Sequence, residues 1–107
     1  MKNLGDIMKQ AAGLQQKMQD LQQELERLEV EGQSGGGMVK VTLTGKGRAV
    51  RVAIENDLLN PEEGEVLEDL LVAALNDAKD KAEAKAAEEM KALTEGLPLP
   101  PGMNLPF

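Results

Sequence analysis

The stretch "MVKVTLTGKGRAVRVAI", Met38 to Ile54, carries Lys40, Lys46, Arg48 and Arg51 and not one carboxylate. The whole chain has 12 basic residues against 19 acidic ones, a net charge of −7, so these four cations stand out. Grouped in space they could hold phosphate oxygens, contacts that set affinity but carry little sequence information. The same residues fit a plainer arrangement. Lys40 and Arg51 could be the solvated outer face of a half-buried sheet, where edge lysines discourage aggregation, and Lys46 an ordinary turn residue. The sequence pI near 4.6 runs against the basic footprint usual in nucleic-acid binders. A local basic patch on an acidic protein still binds a polyanion, more weakly as salt rises.

Other chemistry is scarce. With no His and no Cys, the usual transition-metal sites and the Ser–His and Cys–His nucleophile pairs are excluded. The carboxylates fall in solvated helical patterns rather than among apolar neighbours. "SGGGMV" and "TGKGR" lack the phosphate-loop spacing, and Lys46 is followed by Gly47 rather than Ser or Thr. The expectation is a protein that is not an enzyme, with no cofactor, metal or small-molecule substrate. The opening "MKNLGDIMKQAAGLQQ" has no continuous apolar core, and nowhere do 18 apolar residues run together. A soluble intracellular protein with no membrane partner is expected.

The elements that must position the basic residues follow from periodicity. Leu4, Ile7, Ala11, Leu14, Met18, Leu21, Leu25 and Leu28 step by three and four residues, a heptad seam on a helix over about 3–29. Such a helix is about 40 Å long and must lay its stripe on another helix. Alternation then takes over: Leu28 and Val30 in "LEVEGQS", Val39, Val41 and Leu43, then Val50, Val52 and Ile54. These read as strands over about 28–34, 38–45 and 48–55, the last two joined by "TGKGR". A second helix is predicted over about 61–94, with Asn60 as N-cap and Pro61 in the first turn. Its stripe of Val66, Leu67, Leu70, Leu71, Ala74, Leu75 and Ala78 suits packing on a sheet. Beyond Ala78 it thins to Ala82, Ala86, Met90 and Leu93, so the helix is expected to project past the core with little to bury. Gly96 ends it, and "LPLPPGMNLPF", residues 97–107, reads as a Pro-rich flexible tail.

The fold class is therefore α+β: helix, three-stranded antiparallel meander, helix. Only 41% of residues are hydrophobic and one is aromatic, so a chain this short is expected to pair with a second copy to cover its apolar surface. Charge is uneven along it. Glu55 to Asp77 holds eight acids and no base, whereas bases collect on the strands and at the start of the first helix.

Three stretches, "IMKQAAGLQQKMQDLQQELERLEVEGQSGGGMVKVTLTGKG", "VLEDLLVAALNDAKDKAEAK" and "GLPLPPGMNLPF", resemble the YbaB/EbfC nucleoid-associated proteins over nearly the whole chain, and the junction "EGQSGGGMVKV" is specific. The resemblance implies a bacterial cytoplasmic protein on the nucleoid, a homodimer with a shared β core and helices protruding like tweezer arms. It implies binding of double-stranded DNA, with effects on DNA compaction and gene expression, and no enzymatic activity. On the protruding helices the resemblance points to Lys2, Lys9 and Lys17, and to Lys79, Lys81 and Lys85, as DNA-binding residues. Charge alone adds Lys40, Lys46, Arg48 and Arg51. Two alternatives belong to other classes. A prefoldin-like holdase would grip unfolded chains with apolar tips built from Leu4, Ile7, Met8, Met90 and Leu93. A protein-binding adaptor would dock through the acidic segment or the proline tail.

Overall fold

A computed structural model describes residues 4–95; Lys2 and residues 97–107 lie outside them. Helix α1 spans Leu4–Arg27, strands β1, β2 and β3 span Glu29–Ser34, Val39–Thr44 and Ala49–Ile54, and helix α2 spans Gly64–Glu95. The strands form one antiparallel sheet in the order β1-β2-β3. This is the expected α+β arrangement of helix, meander and helix. The molecule is long and thin, 73 × 25 × 16 Å.

Alternation sorts the sheet into two faces. Val30, Gly32 and Ser34 stand beside Leu43, Val41 and Val39, and Val41 and Val39 beside Val52 and Ile54. α2 covers this face. Val39, Val41 and Leu43 are buried with Leu58, Ala74 and Ala78, and Val30, Met38, Ile54, Leu67, Leu70 and Leu71 pack around them. The contact is closest at Gly32, where a Cβ would lie 2.2 Å from the Ala78 amide nitrogen and 2.4 Å from the Ala74 carbonyl oxygen. Glycine on the strand and alanines on the helix bring the two backbones together. Ser34 Oγ also donates to the Leu70 carbonyl at 2.5 Å.

α2 lies over β1 and β2 and barely touches β3. Val52, beside Val41, is consequently 48% exposed, and Val50, inward by pattern, falls instead at the register shift where Leu43 pairs with Ala49 and is 42% exposed. Val66 and Leu75, which the apolar stripe placed in the core, are exposed as well, together with Val72. Alternation and helical period identify a face; they do not say which strands the helix sits on.

The distal half of α2 also departs from expectation. Ala82 and Met90 are buried, because α1 runs back along the helix. Leu21, Leu25 and Met90 form a second cluster, with Met18, Leu28, Ala86 and Leu93 packed against it. Met90 therefore belongs to a helix–helix seam and is no exposed tip, whereas Leu4, Ile7 and Met8 are exposed.

Two caps explain where the helices start and stop. The Gly45 amide donates to the carbonyls of Leu25 and Leu28 at 2.9 and 3.0 Å, satisfying acceptors left over at the end of α1. Before α2, the Asn60 side chain accepts from the Glu62 amide at 3.1 Å, but Pro61–Glu63 forms a 3-10 turn and the α-helix begins at Gly64.

Candidate nucleic-acid interface

The β2–β3 turn is held by one hydroxyl. Thr44 Oγ1 accepts from the amides of Lys46 and Arg48 at 3.2 and 3.1 Å, and Gly47, at φ +87°, takes the left-handed position that glycine occupies without strain. The Gly47 amide returns to the Thr44 carbonyl at 2.9 Å. This rigid tip presents Lys46 and Arg48 to solvent beside the end of α1. Lys46 Nζ sits 3.5 Å from Glu26 Oε2, and Lys79 of α2 lines a shallow depression with Gly45, Lys46 and Gly47.

The outer face of the sheet is polar. Across it lie Gln33, Lys40 and Ala53 in one row, and Glu31, Thr42 and Arg51 in the next, with Glu29 opposite Thr44. Arg51 Nη2 reaches Glu29 Oε1 at 3.3 Å, spanning β2, where Thr42 and Thr44 are 5% and 9% exposed. The stretch free of acids in sequence is therefore not free of them in space: β1 lays Glu29 and Glu31 on the same face. The alternation of "LEVEGQS" against β2 was the signal that could have found this, since it puts Glu29 and Glu31 in register with Thr44 and Thr42.

On the helices, Lys81 bridges Asp77 Oδ2 at 3.1 Å and donates to the Glu31 carbonyl at 3.1 Å. Asp77 in turn accepts from the Gln33 amide at 3.0 Å. That backbone hydrogen bond first, and Lys81 second, hold the Asp77 carboxyl below its ordinary range. Together the pair covers the outer edge of β1, whose backbone groups would otherwise be open to another strand. Nothing in the sequence pattern singled out Asp77. Lys85 lies 3.5 Å from Glu88 Oε1 and 4.0 Å from Glu89 Oε1.

The ten basic candidates thus divide. Lys46, Arg51, Lys81 and Lys85 have carboxylate partners, and Lys2 is outside the described residues. Lys9, Lys17, Lys40, Arg48 and Lys79 are exposed, and no carboxylate lies within 4.0 Å of their charged groups among the described residues. The fold gathers Lys46, Arg48 and Lys79 near the hairpin, places Lys40 and Arg51 on the sheet's outer face, and strings Lys9 and Lys17 along α1. Among the described residues no cluster of carboxylates could hold a metal ion, and no helix is long and apolar enough to cross a membrane.

Comparison with known proteins places this geometry. The chain is 52% identical to a nucleoid-associated protein of Methylocella silvestris over 107 residues, all of both chains. It is 57% identical to one of Granulibacter bethesdensis over the same full span, and 59% identical to one of Rhodopseudomonas palustris over 92% of this chain and 93% of that one. The crystal structure of an uncharacterized Helicobacter pylori protein superposes with a TM-score of 0.67 at 26% identity, covering 90% of this chain and 97% of the other. The model of the YbaB/EbfC DNA-binding family matches residues 1–97, and the chain belongs to that family, whose members are DNA-binding rather than enzymatic proteins.

Proposed function

We propose that two copies of this chain pair through the uncovered side of the sheet and that the pair binds duplex DNA through phosphate contacts, acting on DNA compaction and gene expression at the nucleoid in the cytoplasm. Residues 1–96 form the pairing and binding unit, with 97–107 as its tail. Membership of a DNA-binding family is the observation that carries the DNA reading. Pairing is supported by Val52, which stands beside buried Val41 yet stays about half exposed, and by Val72 and Leu75 on exposed α2. A monomer in water gains nothing from such a surface, and a second copy would remove it from solvent. The edges point the same way: β1 is blocked by Asp77 and Lys81, whereas β3 carries no comparable cover among the described residues.

The phosphate-contacting residues on this reading are Lys9, Lys17, Lys40, Arg48 and Lys79, which have no ion pair to break among the described residues. Lys46, Arg51, Lys81 and Lys85 can join by exchanging solvent-exposed carboxylate partners for phosphates, since exposed pairs are weak. Lys2 would extend the row on α1.

The test is fluorescence anisotropy with a short duplex at two salt concentrations, comparing the native protein with a charge reversal of Lys9, Lys17, Lys40 and Arg51. Each phosphate neutralised contributes about −0.9 to the slope of log K against log salt. Binding that falls steeply with salt in the native protein and vanishes in the reversal is expected. Absence of binding even at low salt would defeat the reading.

A further inference from the structure

The first half of α1 has no cover among the described residues. Leu4, Ile7 and Met8 are 72%, 60% and 65% exposed. Yet they begin the seam whose later members, Met18, Leu21 and Leu25, pack with Ala86, Met90 and Leu93 of α2. Leu93 already lies in the cluster with Met18, and it is only two residues from Glu95, the last described residue of α2. About three turns of α1, from Leu4 to Leu14, therefore stand clear of α2. So short a helical stretch is marginal in water without a partner, and its heptad pattern suits a second helix.

We propose that the occupant is the same stretch of α1 from a second copy, lying antiparallel with Leu4 of each chain against Leu14 of the other. The heptad sets this register. Leu4 and Ala11 are a positions, Ile7 and Leu14 are d positions, and antiparallel helices set each a against a d. Ile7 then faces Ala11, a large side chain over a small one, and Leu4 faces Leu14. A parallel pair would set Ala11 against Ala11 and leave a gap there. In the antiparallel pair the e residues Met8 of the two copies meet on one flank, and the g residues Gln10 on the other. Charge also favours a second copy as the partner. A chain of net charge −7 repels its copies almost everywhere, but residues 4–14 hold only Asp6 and Lys9 and are neutral. Those two sit at c and f positions, off the seam, and opposed helix dipoles add to the attraction.

The contact is small. An overlap of about 15 Å of helix on each side falls short of the ~1,600 Å² of a standard interface. It forms weakly in dilute solution and fills when copies are held close together. Each α2 stays beside the far end of its own α1, so the two sheets lie at opposite ends of the overlap and do not collide. Lys9, at the outer f position, stays accessible to a phosphate. The seam is also separate from the β3–α2 surface assigned to pairing. A chain with two self-complementary faces extends from pair to pair, and joined arms would hold two duplex segments together. That last step rests on the DNA reading; the contact itself does not.

The chain has no native cysteine, so Met8→Cys with a short bis-maleimide reads the register on the full chain. It should yield a cross-linked two-chain species, and should still do so when Leu75→Asp removes the other pairing. Lys9→Cys, one residue on but on the outer side of the helix, should not. The second readout is sedimentation across a dilution series. The native protein should pass from two copies to larger assemblies, whereas Ile7→Asp should stop at two, because the seam cannot bury an unpaired charge. Met8→Cys cross-linking no better than Lys9→Cys would overturn the proposal and leave the seam open or covered from within its own chain. Larger assemblies unchanged in Ile7→Asp would overturn it as well. If Ile7→Asp fell to one copy while Leu75→Asp stayed at two, the α1 contact would stand and the pairing through β3 and α2 would fail. Cross-linking without any DNA binding would defeat the DNA reading alone.

Discussion

Replacing Gly32 with alanine tests the contact on which the arms depend. The added methyl would meet the Ala78 nitrogen at 2.2 Å, the Ala74 carbonyl oxygen at 2.4 Å and the Ala78 Cα at 2.6 Å. All three are backbone atoms, so no side chain can swing aside. Ordinary contact begins at 3.4 Å, and α2 must retreat by about 1.2 Å from β1. A gap of 0.5–1 Å already forfeits roughly a quarter to a half of the dispersion attraction across a contact, and here it opens over Val39, Val41 and Leu43. Overpacking typically costs ~1–3 kcal/mol, and a backbone obstacle puts Gly32→Ala at the upper end. With ~4–8 °C per kcal/mol for a domain of this size, the melting temperature should fall by roughly 12 °C or more. The retreat would also part Asp77 from the Gln33 amide and Lys81 from the Glu31 carbonyl.

The assay is urea and thermal unfolding followed by far-UV circular dichroism, at one protein concentration because pairing would make stability concentration-dependent. Gly13→Ala is the matched control. It lies inside α1 with nothing within 4 Å, and should stabilise by ~0.5–1 kcal/mol. If Gly32→Ala unfolded within ~0.5 kcal/mol of the native protein, the close approach of α2 to β1 would be refuted.

Three further substitutions probe other links. Thr44→Val removes the acceptor for the Lys46 and Arg48 amides, which should cost about 1–2 kcal/mol and speed amide exchange at the turn. Leu75→Asp places a charge on the exposed face of α2 and should shift sedimentation from two copies towards one, with the far-UV spectrum retained. Asp77→Asn isolates a pH effect. Because Asp77 is held below its ordinary value of 3.8, its contribution is complete above that value and is lost as pH falls through the lower folded-state value. The native protein should therefore lose stability on acidification more steeply than Asp77→Asn, in denaturation curves taken at several pH values below about 5.

The order and type of the elements were legible because each has a clean period. The three–four stepping from Leu4 to Leu28 permits only a helix, and the β-branched alternation around Val39–Leu43 only a strand. Lateral placement was not legible. Val52 and Val41 obey the same alternation and sit side by side, yet one is buried and the other half exposed. What separates them is the position of α2 over β1 and β2, chosen by the missing side chain at Gly32 and the small ones at Ala74 and Ala78. Similarly, Ala82 and Met90 looked underemployed when only the sheet was considered as their partner. The heptad seam of α1 was itself asking for a helix to cover it, and the two requirements answer each other.

Charge was legible only in one dimension. A run without carboxylates invites a basic surface, but antiparallel pairing places every strand residue beside residues distant in sequence, and β1 brings Glu29 and Glu31 to the face shared by Lys40 and Arg51. The consequence for DNA binding is physical rather than statistical. A phosphate arriving at that face would have to displace Glu29 from Arg51, whereas Lys9, Lys17, Arg48 and Lys79 hold no carboxylate among the described residues for it to displace. The acids Glu62 and Glu63 of the preceding turn and Glu65, Glu68 and Asp69 of α2 crowd the start of that helix, and its lysines begin at Lys79, interleaved with Asp80, Glu83, Glu88 and Glu89. On the proposed reading, like charge would keep a phosphate backbone off the first part, leaving it to meet Lys79, Lys81 and Lys85, among those later acids, nearer the hairpin tip. On that reading the carboxylates of an acidic protein would take part in steering a polyanion to one end of it.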